Sequence, residues 1–319
     1  MTLLIQIGAT PVYPYSFDAN LYVGTFQGVF SIPERGEYEV TIYYPVNGSG
    51  KAYPAVIFAH GFCSCCSWHK WIGNCLAIRG YVALLFTVPD RVSTDVQQWV
   101  DGIEGGIRYL QQLNNASEEF HDMIDMSRLG VMGHSMGAMA ALIAASRDLN
   151  IKAIVSLAAP YLRDKHFNDE YADELLSEID WDSVLSASRN ITIPVQFQVG
   201  TRDALASDSA IIYYEASNSA SKEFVSIEGG NHVQYLDEEY VWSRSSLYGA
   251  LSLFFSLGLR IIIKMVMLYL SENGLKIIFV DKLVGAAVAF GIDQPATITP
   301  SRQHEISSQN FLTFFNIYL

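Results

Sequence analysis

The chain has 319 residues, half of them hydrophobic and only 17% charged, with a formal net charge of −13. That size and apolar content support a sizeable core, and the acidic balance argues against nucleic acid or anionic membrane as partner, since both need basic surface. No basic stretch precedes the apolar start Met1-Thr2-Leu3-Leu4-Ile5, so no intact secretory signal is expected and localisation stays open between secreted and cytoplasmic.

Residues 12–36 mix Pro, Tyr, Phe and Gly without steady periodicity, which predicts an irregular entry with short strands. Residues 37–44 are rich in β-branched and aromatic side chains and read as an edge or meander strand. A turn is expected at Asn47-Gly48-Ser49-Gly50. The apolar run Ala55-Val56-Ile57-Phe58-Ala59, ending in His60-Gly61, has the pattern of a strand buried on both faces. A helix over 67–78 and a second buried strand over 81–87 follow. Helical spacing over 95–113 gives Trp99, Ile103, Ile107, Tyr109 and Leu110 one face.

The centre of the chain is Gly133-His134-Ser135-Met136-Gly137, placed between the β-type run Arg128-Leu129-Gly130-Val131-Met132 and an Ala-rich helical run. Further strands are expected at 152–157, 194–200 and 223–227, with a helix at 209–217. Strands alternating with helices in this rhythm predict an α/β fold with a mostly parallel central sheet and helices on both faces. Residues 163–182 carry eight acidic side chains against Arg163 and Lys165, which reads as a solvated helical excursion reaching to about residue 190.

Residues 247–270 are almost continuously apolar and long enough to span a bilayer, yet Arg260 and Lys264 interrupt them. Residues 275–290 are also apolar, with Asp281 and Lys282 inside. A buried helical insertion at about 245–295, membrane attachment and a self-association surface all remain open. Residues 301–319 read as a closing amphipathic helix. With no internal repeat or low-complexity linker, the expectation is a single domain with these two additions. The cysteines Cys63, Cys65, Cys66 and Cys75 do not have the paired spacing of a zinc site. Reduced thiols, or one local disulfide through Cys75, are the readings left.

The chemistry centres on Ser135. A strand–Gly-x-Ser-x-Gly–helix context is that of a nucleophile elbow, which lifts the hydroxyl to a helix N-terminus. A serine needs a base and the base an orienting acid. Asp203, in Gly200-Thr201-Arg202-Asp203, lies just past a buried strand, at the edge where α/β sheets build sites. His232, in Glu228-Gly229-Gly230-Asn231-His232, follows on a Gly-rich loop. Asp237 or Glu238 is the fallback acid, but both come after the histidine and break the expected order of serine, acid and histidine. The amides of Met136 and Phe62, with Cys63 as the alternative to Phe62, are the candidate oxyanion donors. Phe62 and Tyr161 are candidate aromatic walls for a substrate. His60 and His134 are expected to shape the site rather than transfer protons.

Together these residues resemble the α/β-hydrolase superfamily. Within it the chain looks like the group of chlorophyllase-like esterases, dienelactone-hydrolase-like proteins and bacterial cutinase-type polyester hydrolases. The likeness rests on His60-Gly61-Phe62, the Gly-His-Ser-Met-Gly elbow, Gly200-Thr201-Arg202-Asp203 and Asn231-His232. It covers about residues 25–240 and returns at the last helix. Dienelactone hydrolases proper use cysteine where this chain has Ser135. Cutinase-type enzymes carry a glycine run where this chain has Ala138-Met139-Ala140, and a tryptophan near the position of Tyr161. The resemblance implies a serine carboxylic-ester hydrolase for neutral hydrophobic or aromatic esters, small or polymeric, needing no metal or organic cofactor. An amidase or peptidase of the same fold, or a membrane-attached non-catalytic binding protein, is the alternative.

Overall fold

The structure is a computed structural model that describes residues 22–46, 52–163, 176–241 and 295–319. The expected turn at 47–50, residues 164–175 of the acidic excursion and the apolar runs at 247–270 and 275–290 lie outside the described residues. Among the described residues, no helix is long and apolar enough to cross a membrane.

Eight strands form one sheet: β1 (Tyr22–Ile32), β2 (Gly36–Val46), β3 (Tyr53–Ala59), β4 (Val82–Thr87), β5 (Ile124–His134), β6 (Ile151–Leu157), β7 (Val195–Gly200) and β8 (Lys222–Ile227). Their spatial order is β1-β2-β4-β3-β5-β6-β7-β8. β1 and β2 pair antiparallel, β2 pairs antiparallel with β4, and every later pairing is parallel. The central strands read as continuous apolar runs because both of their faces are covered. Ala55, Ile57 and Ala59 of β3 join the core on one side, and Val56 and Phe58 that on the other.

Helices α1 (Lys70–Ala77), α2 (Gln97–Ala116), α3 (Met136–Arg147), α4 (Trp181–Asn190), α5 (Ser207–Ala216) and α6 (Pro300–Tyr318) complete the described fold. α2, α3 and α4 pack on one face of the sheet, α1 and α6 on the other. Trp99, Ile103 and Leu110 of α2 are fully buried, each burial contributing about 2 kcal/mol. α3 is buried along Met136–Ala145, so its alanines serve close packing on every side rather than one stripe.

Two expectations need correction. From Tyr22 the entry is not irregular: β1 is an eleven-residue strand paired with β2 along its whole length. Its inward positions include Gly24 and Gly28, where a Cβ would collide with the Tyr44 ring and the Tyr109 hydroxyl. Missing side chains on the packed face conceal the alternation. The helix expected over 67–78 is broken: a 3-10 turn at Cys66–Trp68 ends at His69, and α1 starts after it. His69 is buried with Nδ1 against the Cys65 carbonyl, at a φ of −132° that an α-helix does not allow. All four cysteines are free thiols, and burial pushes the Cys66 and Cys75 thiols up.

Candidate active site

β5 ends at His134 and α3 begins at Met136, so Ser135 alone makes the turn from strand to helix. Its φ of 56° lies in the left-handed region, which strains any residue carrying a Cβ. The flanking glycines make the turn feasible. A Cβ on Gly133 would lie 2.2 Å from the Gly137 carbonyl oxygen, and one on Gly137 would lie 2.1 Å from that of Ala59. Both obstacles are backbone, which no rotamer change relieves.

His232 Nε2 lies 2.9 Å from Ser135 Oγ, and His232 Nδ1 lies 2.9 Å from Asp203 Oδ2. All three side chains are buried. Asp203 Oδ1 accepts from the amides of Leu205 at 3.0 Å and Ala206 at 2.8 Å, which leaves Oδ2 for the imidazole. A carboxylate accepts only, so the proton sits on Nδ1 and the Nε2 lone pair faces the serine hydroxyl. The structure thus joins Ser135, His232 and Asp203, which the sequence singled out from three separate loops, in one hydrogen-bonded line.

The candidate oxyanion donors flank this line. Met136 carries the first amide of α3, which has no intrahelical acceptor. Gly61 passes so close that a Cβ on it would lie 3.0 Å from Ser135 Cβ, which brings the following loop beside the serine. The Cys63 amide donates to the Arg91 carbonyl at 2.6 Å, whereas no described residue takes a hydrogen bond from the Phe62 amide. Between those two candidates, Phe62 is the one left available. Its ring is half-buried against the core.

Tyr161 is half-buried and meets Trp181 edge-on at 6.0 Å and Tyr213 at 5.8 Å. The Tyr213 hydroxyl donates to the Pro160 carbonyl at 2.9 Å, and Ser209 Oγ donates to that of Tyr161 at 3.1 Å. The position of Tyr161 is therefore set by α4 and α5, a dependence that its local sequence does not signal.

His60 and His134 have structural partners. Val88 N donates to His60 Nε2 at 3.2 Å, so His60 Nδ1 carries the proton toward the Gly61 carbonyl, 2.6 Å away. His134 Nε2 donates to the His232 carbonyl at 3.1 Å, and its ring lies 4.8 Å from that of His232. Burial first, then the neighbouring imidazoles of His232 and His69, hold its pKa well below the usual value. Asp237, weighed from sequence as a fallback acid, instead receives the amides of Lys70 at 2.8 Å and Trp71 at 3.0 Å at the start of α1. Among the described residues, no group of three or more His, Cys, Asp or Glu is placed to hold a metal.

His304 stacks on Trp71 with centroids 4.1 Å apart, and its Nε2 donates to the Leu236 carbonyl at 2.9 Å. Burial pushes its pKa from 6.5 down to about 4. Above pH 6.5 the folded and unfolded chains both hold it neutral. As pH falls from 6.5 toward 4, the unfolded chain binds the proton first and stability is lost. From this group alone, unfolding free energy should drop by about 2 kcal/mol between pH 7.5 and pH 5. Urea titrations of wild type and His304→Gln at both pH values check this: the variant should show the smaller drop. Equal drops would mean that His304 is not held neutral in the folded chain.

A mostly parallel sheet in this strand order, with a strained serine on the turn between β5 and α3, defines an α/β-hydrolase. A family profile described as PETase, PET hydrolase-like, matches residues 27–194, just over half of the chain, and the chain belongs to that family. The match holds the elbow, Phe62 and Tyr161, and stops short of Asp203 and His232. A bis(hydroxyethyl) terephthalate hydrolase of Streptomyces coelicolor is 32% identical over 146 residues, 45% of this chain and 44% of that one. Cutinase est2 of Thermobifida alba is 30% identical over 151 residues, covering 46% and 47%. Cutinase 1 of Thermobifida cellulosilytica is 27% identical over 195 residues, covering 60% and 64%. The chain thus spans about half the length of the relatives it matches.

Proposed function

We propose that this protein is a serine carboxylic-ester hydrolase that works through an acyl-enzyme on neutral hydrophobic or aromatic esters, polyesters among them. The observation that carries the reading is the line from Ser135 Oγ through His232 to Asp203, with both contacts at 2.9 Å. The names of the relatives, cutinases and a bis(hydroxyethyl) terephthalate hydrolase, support the ester class and suggest aromatic diesters within it.

In this reading Ser135 Oγ attacks the ester carbonyl as His232 Nε2 takes its proton. The amides of Met136 and Phe62 stabilise the oxyanion. Asp203 Oδ2 holds the imidazolium in place, and His232 returns the proton to the departing alcohol. Water, deprotonated in turn by His232, releases the acid and restores the serine. Phe62 and Tyr161 form aromatic walls for the acyl or aryl group. The acidic excursion at 163–190 and the insertion at 245–295 are additions to the same hydrolase domain.

Hydrolysis of p-nitrophenyl acetate, butyrate and octanoate, and of bis(hydroxyethyl) terephthalate, tests the reading, with p-nitroanilides as amide controls. Turnover of the esters with little or none of the anilides is the expected result. Inertness toward every ester would sink the proposal, and faster turnover of anilides would move it to an amidase.

A further inference from the structure

We infer that Gln303, on the C-terminal helix, is a positioning residue for His232, holding the base in line with Ser135 and Asp203; this rests on the esterase reading above. The Gln303 side chain is fully buried. Its Oε1 accepts from the Asn231 amide at 3.0 Å, and its Nε2 donates to the Asn231 carbonyl at 3.0 Å. One carboxamide therefore pairs with both backbone groups of the residue immediately before His232. The contact is tight: a Cβ on Gly230 would lie 2.5 Å from Gln303 Oε1.

The neighbouring residue on α6 acts at the other end of the same segment, where His304 Nε2 donates to the Leu236 carbonyl. Between those two anchors, the segment's regular structure is a three-residue 3-10 turn, Val233–Tyr235. Such a short turn does not fix a loop by itself, so α6 holds the segment on either side of His232, beside the contact of His134 Nε2 with the His232 carbonyl.

The acid is registered on the same helix. Ser307 Oγ donates to Gln198 Oε1 at 2.7 Å, and Gln198 Nε2 donates to the Ser307 carbonyl at 3.2 Å. Gln198 lies in β7, the strand that leads to Asp203. The Gly230 carbonyl also accepts from the Arg202 amide at 2.8 Å, which ties the acid loop to the base loop. Gln303 and Ser307, one turn apart on α6, thus set the separation of base and acid.

Loss of the clamp should act on proton transfer more than on binding. A p-nitrophenolate leaves as a stable anion, whereas an alkoxide must receive its proton from His232. The test is kcat and KM for p-nitrophenyl butyrate and ethyl butyrate in wild type and Gln303→Met, which keeps the length and loses both hydrogen bonds. Turnover should fall about 100-fold on the ethyl ester and about tenfold on the p-nitrophenyl ester, with KM little changed. A residue that only supports folding would lower both esters by one factor, the folded fraction. Equal losses, or none, would overturn the inference. Where Gln303→Met does not fold, Gln303→Glu is the second variant: it keeps the size but loses the donor to Asn231, and should show the same ester-selective defect. If wild type hydrolyses neither ester, the esterase reading fails, and the clamp is then read from the downfield proton NMR signal of His232 Nδ1–H. Loss or broadening of that signal in the variant supports the clamp, and an unchanged signal overturns it.

Discussion

Ser135→Ala should lower kcat/KM for p-nitrophenyl butyrate by about 10⁵-fold and leave the circular dichroism spectrum and melting temperature essentially unchanged. Only an oxygen is removed, and the φ of 56° at the elbow is no more costly for alanine than for serine. His232 keeps its contact with Asp203, and the amides of Met136 and Phe62 stay where they are. What disappears is the atom that forms the acyl-enzyme in the proposed reaction. Activity within tenfold of wild type in purified Ser135→Ala would mean that another group attacks the ester.

Asp203→Asn should cost about 10⁴-fold in kcat with little change in stability. The reason lies in how the two carboxylate oxygens are used. Oδ1 faces two backbone donors, Leu205 N and Ala206 N, so in the variant the carbonyl oxygen of asparagine must occupy that side. Its NH₂ then faces His232 Nδ1, which is forced to accept. The imidazole proton moves to Nε2 and points at Ser135 Oγ, where it blocks proton removal from the serine. Steady-state kinetics beside thermal melts separates this from unfolding. A variant retaining more than about a tenth of wild-type kcat would show that the imidazole does not depend on Asp203 for its tautomer.

The parallel strands were legible because burial on both faces writes itself as unbroken apolar runs, as at 55–59 and 81–87. The three residues of the hydrogen-bonded line were legible because each stands in a turn just past a strand end, where glycines mark close backbone approach. β1 was not legible, since glycines at Gly24 and Gly28 remove the side chains that would have shown its alternation. The break at His69 was hidden because a buried histidine bonded to a backbone carbonyl looks, in sequence, like any helical residue.

The supports of the site were the least legible. Asp237 meets Lys70 and Trp71, and Gln303 meets Asn231, across separations that carry no periodic signal. A buried glutamine in an amphipathic helix also looks like part of its polar face. Such partners become visible only once α6 is seen packed against the base loop.

The first measurement to make is covalent labelling with diethyl p-nitrophenyl phosphate, a phosphorylating analogue of the ester, followed by mass spectrometry of the intact chain and its peptides. An activated Ser135 should take up one diethylphosphoryl group, found on the peptide containing Ser135 and absent from Ser135→Ala. Labelling elsewhere in the chain, or equal labelling of Ser135→Ala, would contradict Ser135 as the nucleophile.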